Sequence, residues 1–177
     1  RAAADAGAAV LCLCDTRGGS LPETIREATA AARAAVPTPL GVHCHNDGDL
    51  AVANSLAGIQ AGAVQVQGTI NGFGERCGNA NLVSIIPTLV LKPHFAKRFE
   101  TGIDAERLQR LTHISRAFDE LLNRSPNKQS PYVGKSAFAT KAGIHASALA
   151  KEPETYEHVP PDSVGNRRQV LVSDQAG

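Results

Sequence analysis

The first half of the chain alternates between short apolar runs and longer stretches of mixed character, separated by polar loops that carry glycine. Residues 8–14 are continuously apolar over a strand's length, which predicts a strand buried on both faces. A loop at 15–19 follows. Ser20 and Glu23 then have the spacing of a capping box, with Pro22 in the first turn, predicting a helix to about Ala35 that Pro37-Thr38-Pro39 closes. The cycle repeats with a strand at 40–45, a loop at 46–48 and an Ala/Leu-rich helix at 49–61 ended by Gly62. It repeats once more with a strand at 63–68, a long loop at 69–79 and a helix at 80–91 in which Pro87 threatens a kink. Strand, loop and helix three times over, at about thirty residues each, is the rhythm of a parallel sheet.

After Pro93 the pattern changes. Leu108, Leu111, Ser115, Phe118 and Leu122 recur near a helical period and predict one amphipathic helix over 104–123. Residues 125–136 hold two prolines and a glycine and read as a loop. Residues 140–151 read as a short Ala-rich helix carrying His145, and 152–161 as irregular chain with Tyr156 and His158. The chain thus divides into an α/β part, 1–91, and a mostly helical subdomain, 92–177.

Composition narrows the partners. Lys+Arg 18 against Asp+Glu 17 leaves a formal net charge of +1, which gives no electrostatic reason to expect nucleic acid or an anionic membrane. No apolar run approaches the roughly 18 residues of a membrane span. Cys12, Cys14, Cys44 and Cys77 form no C-x-x-C pair and read as reduced thiols of a cytoplasmic protein. The chain starts at Arg1, lacks methionine and opens inside an Ala-rich stretch, so it reads as a piece of a longer protein.

The chemistry gathers at two stretches. On a strand His43 and His45 share a face, because side chains alternate with period two, and neutral imidazoles are common ligands of divalent metals. Two satisfied rim histidines are the plain alternative. About thirty residues later, 68–79 bring Glu75, Arg76 and Asn79 on a glycine-rich backbone; Asn79 and Glu75 are candidate oxygens for an ion. Asp47 is a third candidate or a cap for the next helix. Taken alone, Asp15-Thr16 is an ordinary strand-to-helix turn, His145 and Tyr156 are surface or packing residues, and Arg167-Arg168 is a solvated pair.

Together, Cys14-Asp15-Thr16-Arg17-Gly18-Gly19, His43-x-His45-Asn46-Asp47, the segment Gly72-Phe73-Gly74-Glu75-Arg76-Cys77-Gly78-Asn79 and Lys141-Ala142-Gly143-Ile144-His145 resemble the 2-isopropylmalate, homocitrate and citramalate synthase family. Residues 67–72, Tyr156-Glu157-His158-Val159 and 164–168 look most like its citramalate branch. The resemblance implies a TIM (β/α)8 barrel, of which the three strands here would be the last three. It implies a divalent metal (Zn, Mn or Mg) held by His43 and His45 with Asn79 near it and Glu75 positioning the site. Thr16 would bind the carboxylate of a 2-oxo acid. His145, with Tyr156, would act on acetyl-CoA from a subdomain that reaches the neighbouring barrel of a homodimer. The family's first strand, with its Arg-Asp pair, has no match here, so the chain is expected to be inactive by itself. A different keto acid (2-oxoisovalerate), an acyl-CoA lyase on the same barrel and a non-catalytic dimerisation unit are the alternatives.

Overall fold

Three parallel strands in the order β1-β2-β3 form the sheet of the N-terminal half: Leu11–Asp15, Leu40–Cys44 and Gln65–Gln67. The computed structural model describes residues 1–140, 147–149 and 151–170. It divides into two compact units, 1–85 and 86–177, each described here by itself.

In the first unit, a short helix α1 (Ala2–Asp5) precedes β1; α2 (Pro22–Ala35) connects β1 to β2 and α3 (Ala51–Gln60) connects β2 to β3. Cys14 pairs with His43 and Asp15 with Cys44 across β1 and β2, while His43 pairs with Gln67 across β2 and β3. β2 is therefore central, and Leu40, Gly41, Val42 and Cys44 are buried on it. Leu40 and Val42 are each 1% exposed, and burying such side chains fully contributes roughly 1.5–3 kcal/mol apiece. Gly58 of α3 lies against Val42, where any side chain would strike the valine methyls. The expected burial of the first strand on both faces is not met: β1 is half-buried to exposed, because it pairs with β2 alone among the described residues.

Local chemistry departs from expectation at two helix starts. The Ser20–Glu23 capping box is not formed. Ser20 instead gives its hydroxyl and amide to Asp15 (3.0 and 3.2 Å), and α2 begins at Pro22 behind Leu21 with no side-chain cap. At α3 it is Asn46, not Asp47, whose side-chain oxygen accepts from the Ala51 amide at 3.1 Å.

Helix α4 (Leu82–Leu91) contains Pro87 and runs through the boundary between the units. The second unit continues with α5 (Pro93–Ala96), α6 (Ala105–Leu108) and α7 (Leu111–Leu121), and closes a two-residue parallel ladder between β4 (Ala139–Thr140) and β5 (Gln169–Val170). The single helix expected over 104–123 is two. Its break falls at Gln109, whose carbonyl meets Gly165 so closely that no Cβ would fit there. Side-chain bonds to backbone hold this unit. Thr112 donates to the Val164 carbonyl at 2.6 Å, and buried Asn166 donates to the carbonyls of Tyr132 and Gly134 at 2.8 and 2.9 Å. Arg167 and Arg168 are exposed, as expected of a solvated pair, and Arg168 in addition forms a two-pronged pair with Glu157, both contacts at 2.6 Å. Most of the helix expected over 140–151 lies outside the described residues. No helix among the described residues is long and apolar enough to cross a membrane.

Candidate metal centre

The candidate centre forms where β2 ends and the 68–82 segment folds back over it. The Asn46 amide donates to the Gly78 carbonyl and the Ala80 amide to the Cys44 carbonyl, so Asn79 is bridged antiparallel to His45. This return needs glycine. Gly78 has φ +92 and packs on the Gly72 carbonyl, and a side chain on Gly74 would collide with the Asn79 amide oxygen. Asn79 is thereby buried, 8% exposed, with its amide against the imidazoles.

The two imidazoles converge. His43 Nε2 and His45 Nε2 lie 3.3 Å apart, with ring planes at 65°, and the Asn79 Nδ2 is 3.1 Å from His43 Nε2. Two bonds of about 2.1 Å to one ion place adjacent nitrogens about 3.0–3.4 Å apart, so the observed gap suits neighbouring ligands of a single ion. A rotation of the Asn79 amide exchanges its oxygen and nitrogen without moving the backbone, which would turn an oxygen toward the same point. Both Nδ1 atoms are buried and have no hydrogen-bond partner among the described residues. Ligating histidines ordinarily donate that second nitrogen to an acceptor, so this shell is unfinished here. Among the described residues no group of three or more His, Cys, Asp and Glu side chains is placed to hold a metal ion. The residues fit part of a coordination sphere: two imidazoles and an amide, with positions left for other ligands.

A second cluster borders the first. Arg76 donates from Nε to Asp47 Oδ1 at 2.7 Å, and from Nη2 to Asp47 Oδ2 at 2.9 Å and to the Thr16 carbonyl at 2.7 Å. Arg76 itself adopts φ +53, a left-handed conformation that a residue with a Cβ seldom takes. The hydrogen bonds from Arg76 hold the Asp47 carboxyl below the usual carboxylate range, and in return raise the guanidinium further. This pair connects the loops after all three strands. The sequence reading had Arg76 only as a guanidinium on the glycine-rich segment; its left-handed backbone and its distance of twenty-nine residues from Asp47 leave no local signal of the pairing.

The other expected site residues scatter. Thr16 stands exposed at the end of β1 with its carbonyl engaged by Arg76. Glu75 turns outward, its side chain 84% exposed and 3.8 Å from the neighbouring Arg76. Tyr156 belongs to the second unit and is 45% exposed. His145 lies outside the described residues. Of the thiols, burial pushes Cys44 up to about 11, and burial followed by Cys14 pushes Cys12 to the same range. These two remain protonated and inert at neutral pH.

A family profile described as HMGL-like matches residues 1–114, and one described as homocitrate synthase post-HMGL domain-like matches residues 132–177. The (R)-citramalate synthase of Geobacter sulfurreducens is 55% identical over 177 residues, which is 100% of this chain and 33% of that protein. Those of a Synechocystis strain and of Aquifex aeolicus are 49% and 50% identical over 99% of this chain, covering 32% and 33% of their own lengths. The chain thus spans about a third of the curated relatives it matches. Among solved structures, a Bacillus subtilis HMG-CoA lyase superposes with TM-score 0.59 at 23% identity, covering 71% of this chain and 42% of that one. The carboxyl transferase domain of Rhizobium etli pyruvate carboxylase, solved with pyruvate and biocytin, gives TM-score 0.56 at 23% identity, covering 68% of this chain and 19% of that one.

Proposed function

The chain belongs to the HMGL-like family, a TIM-barrel family of which its three parallel strands cover part, and from that premise we propose that it is the metal-centre portion of an acyltransferase condensing acetyl-CoA with pyruvate to (R)-citramalate. One observation carries the reading: two strand-end imidazole nitrogens 3.3 Å apart beside a buried amide, in a sequence 49–55% identical to (R)-citramalate synthases.

In this reading His43 and His45 hold a divalent ion, Zn, Mn or Mg, with Asn79 adjoining it. Such an ion, when bound, polarises the keto group of a 2-oxo acid as a Lewis acid. Thr16, at the end of the neighbouring strand, orients the keto acid through its carboxylate. Glu75 is the proposed site carboxylate on the returning segment. His145 removes a proton from the acetyl-CoA methyl group, with Tyr156 assisting from the same subdomain. The methyl carbon then bonds to the keto carbon as the carbonyl π bond breaks, the keto oxygen takes up a proton to become the hydroxyl, and water cleaves the thioester to release CoA and a branched 2-hydroxy diacid. Assembly as a homodimer, with this subdomain reaching the partner barrel, belongs to the same proposal.

The test is CoA release from acetyl-CoA by the full-length protein, with pyruvate, 2-oxoisovalerate and 2-oxoglutarate compared in Mn²⁺, Mg²⁺ or Zn²⁺. Release preferring pyruvate, and falling at least a thousandfold in His43→Ala, is expected. Preference for 2-oxoisovalerate would move the protein to the 2-isopropylmalate synthase branch. No release with any keto acid, from folded and metal-loaded protein, would contradict the synthase reading and leave the lyase and the non-catalytic unit.

A further inference from the structure

Arg76 satisfies a geometry that its backbone does not favour. It sits at φ +53, two residues before Gly78 at φ +92, and its guanidinium, 44% exposed, reaches across to Asp47 and the Thr16 carbonyl. Non-glycine residues in this region persist where surrounding contacts over-determine them, and such positions concentrate at functional sites. Here the contacts are specific. Both Asp47 oxygens are taken by the planar fork, and the remaining reach of Nη2 goes to the Thr16 carbonyl. The same junction is closed by backbone bonds. The Gly48 amide donates to Gly18, and the Gly18 and His45 amides both donate to the Asp15 carbonyl. Gly18, at φ +66, leaves no room for a side chain beside Asp47.

From this geometry we infer that Arg76 is a positioning residue that fixes the Thr16 loop against the His45 strand end, acting through Asp47. The inference rests on the proposed function, because it assigns Thr16 the substrate carboxylate. Its consequence is a division of labour. His43 and Asn79 are held by the strand ladder and by the backbone bonds of Asn46 to Gly78 and Ala80 to Cys44, in which the Arg76 side chain takes no part, so metal affinity is set without that side chain. Thr16 sits on the short connection between β1 and α2, and its own carbonyl is tied by the guanidinium, so capture of the keto acid depends on that contact. Lysine cannot replace the fork: it brings the charge but not two parallel donors to one carboxylate and a third contact beyond.

The experiment compares Arg76→Gln, Arg76→Lys, Asp47→Asn and the Arg76→Gln/Asp47→Asn double variant in the full-length protein. KM for the 2-oxo acid is expected to rise about tenfold or more in each single variant, with kcat reduced less and Mn²⁺ affinity within about twofold of wild type. The double variant is expected to be no worse than the poorer single one, since both remove the same link. Arg76→Lys is expected to recover thermal stability without recovering KM. Hydrogen exchange supplies a readout that needs no turnover: the amides of Gly18, Ser20 and Gly48 are expected to exchange at least tenfold faster in Arg76→Gln, while those of α3 do not change. An unchanged KM with only a lowered melting temperature would overturn the inference, as would additive losses in the double variant. If wild-type protein releases no CoA with any keto acid, the functional reading fails by itself. The exchange rates then decide alone whether Arg76 fixes this loop, and unaltered rates overturn it.

Discussion

The two compact units reach order by different means. In 1–85 a central strand is buried along four of its five residues, and His43, the proposed ligand, is placed by the period of the ladder. In 86–177 short helices and two-residue strands are pinned by side chains bonding to backbone: Thr112 to Val164, Asn166 to Tyr132 and Gly134. The first arrangement holds side chains to a fixed separation, as a metal centre requires. The second gathers irregular segments whose positions depend on a few polar anchors. Regular ladders place ligands; anchored loops shape surfaces.

This contrast can be broken by substitution. Leu40→Ala, which empties a site 1% exposed at the start of β2, should destabilise the protein by about 3–4 kcal/mol through lost transfer energy and the cavity left behind. Urea unfolding checks it, and a cost below about 1 kcal/mol would deny the strand its role. Asn166→Ala should cost about 2–3 kcal/mol, because two buried carbonyls lose their donor. An equally large effect from a polar anchor in the first unit would erase the distinction.

The smallest effect is a pH dependence confined to the second unit. His158 stacks on Phe138, meets Tyr132 edge-on and faces the Lys92 ammonium at 3.1 Å. Burial first, and Lys92 second, hold its pKa below the ordinary histidine value. The folded state therefore favours the neutral ring. The contribution is fully present above about pH 6.5, the unfolded value, and is lost as pH falls from there toward the depressed folded value. The urea midpoint should drop between pH 7.5 and 5.5 in wild type and drop less in His158→Gln; equal slopes would reject the assignment.

Much of this was legible in the sequence, for physical reasons. The apolar run ending at His45 announced a parallel strand because central strands bury both faces, and the observed β2 spans Leu40–Cys44; the run ending at Cys14 is a strand too, but not one buried on both faces. The alternation that put His43 and His45 on one face is a property of any strand. Asn79 was legible as a candidate only through its motif, since its approach depends on Gly74 and Gly78 folding the segment back. What escaped involves distant partners. Ser20 has a capping spacing, yet Asp15 competes for its hydroxyl. The helix expected over 104–123 is interrupted by contact with Gly165, fifty-odd residues on. The Arg76–Asp47 pair needed a left-handed arginine that no local propensity foretells.

In the proposed centre His43 and His45 present Nε2 to one ion. Nitrogen-15 resonances of the histidine side chains, followed while the full-length protein is titrated with Zn²⁺, test it directly. Saturation is expected at one equivalent per chain, with the Nε2 signals of both residues shifting together and the high-affinity step lost in His43→Ala and in His45→Ala. Binding that leaves those two rings unshifted, or that survives both substitutions, would contradict it.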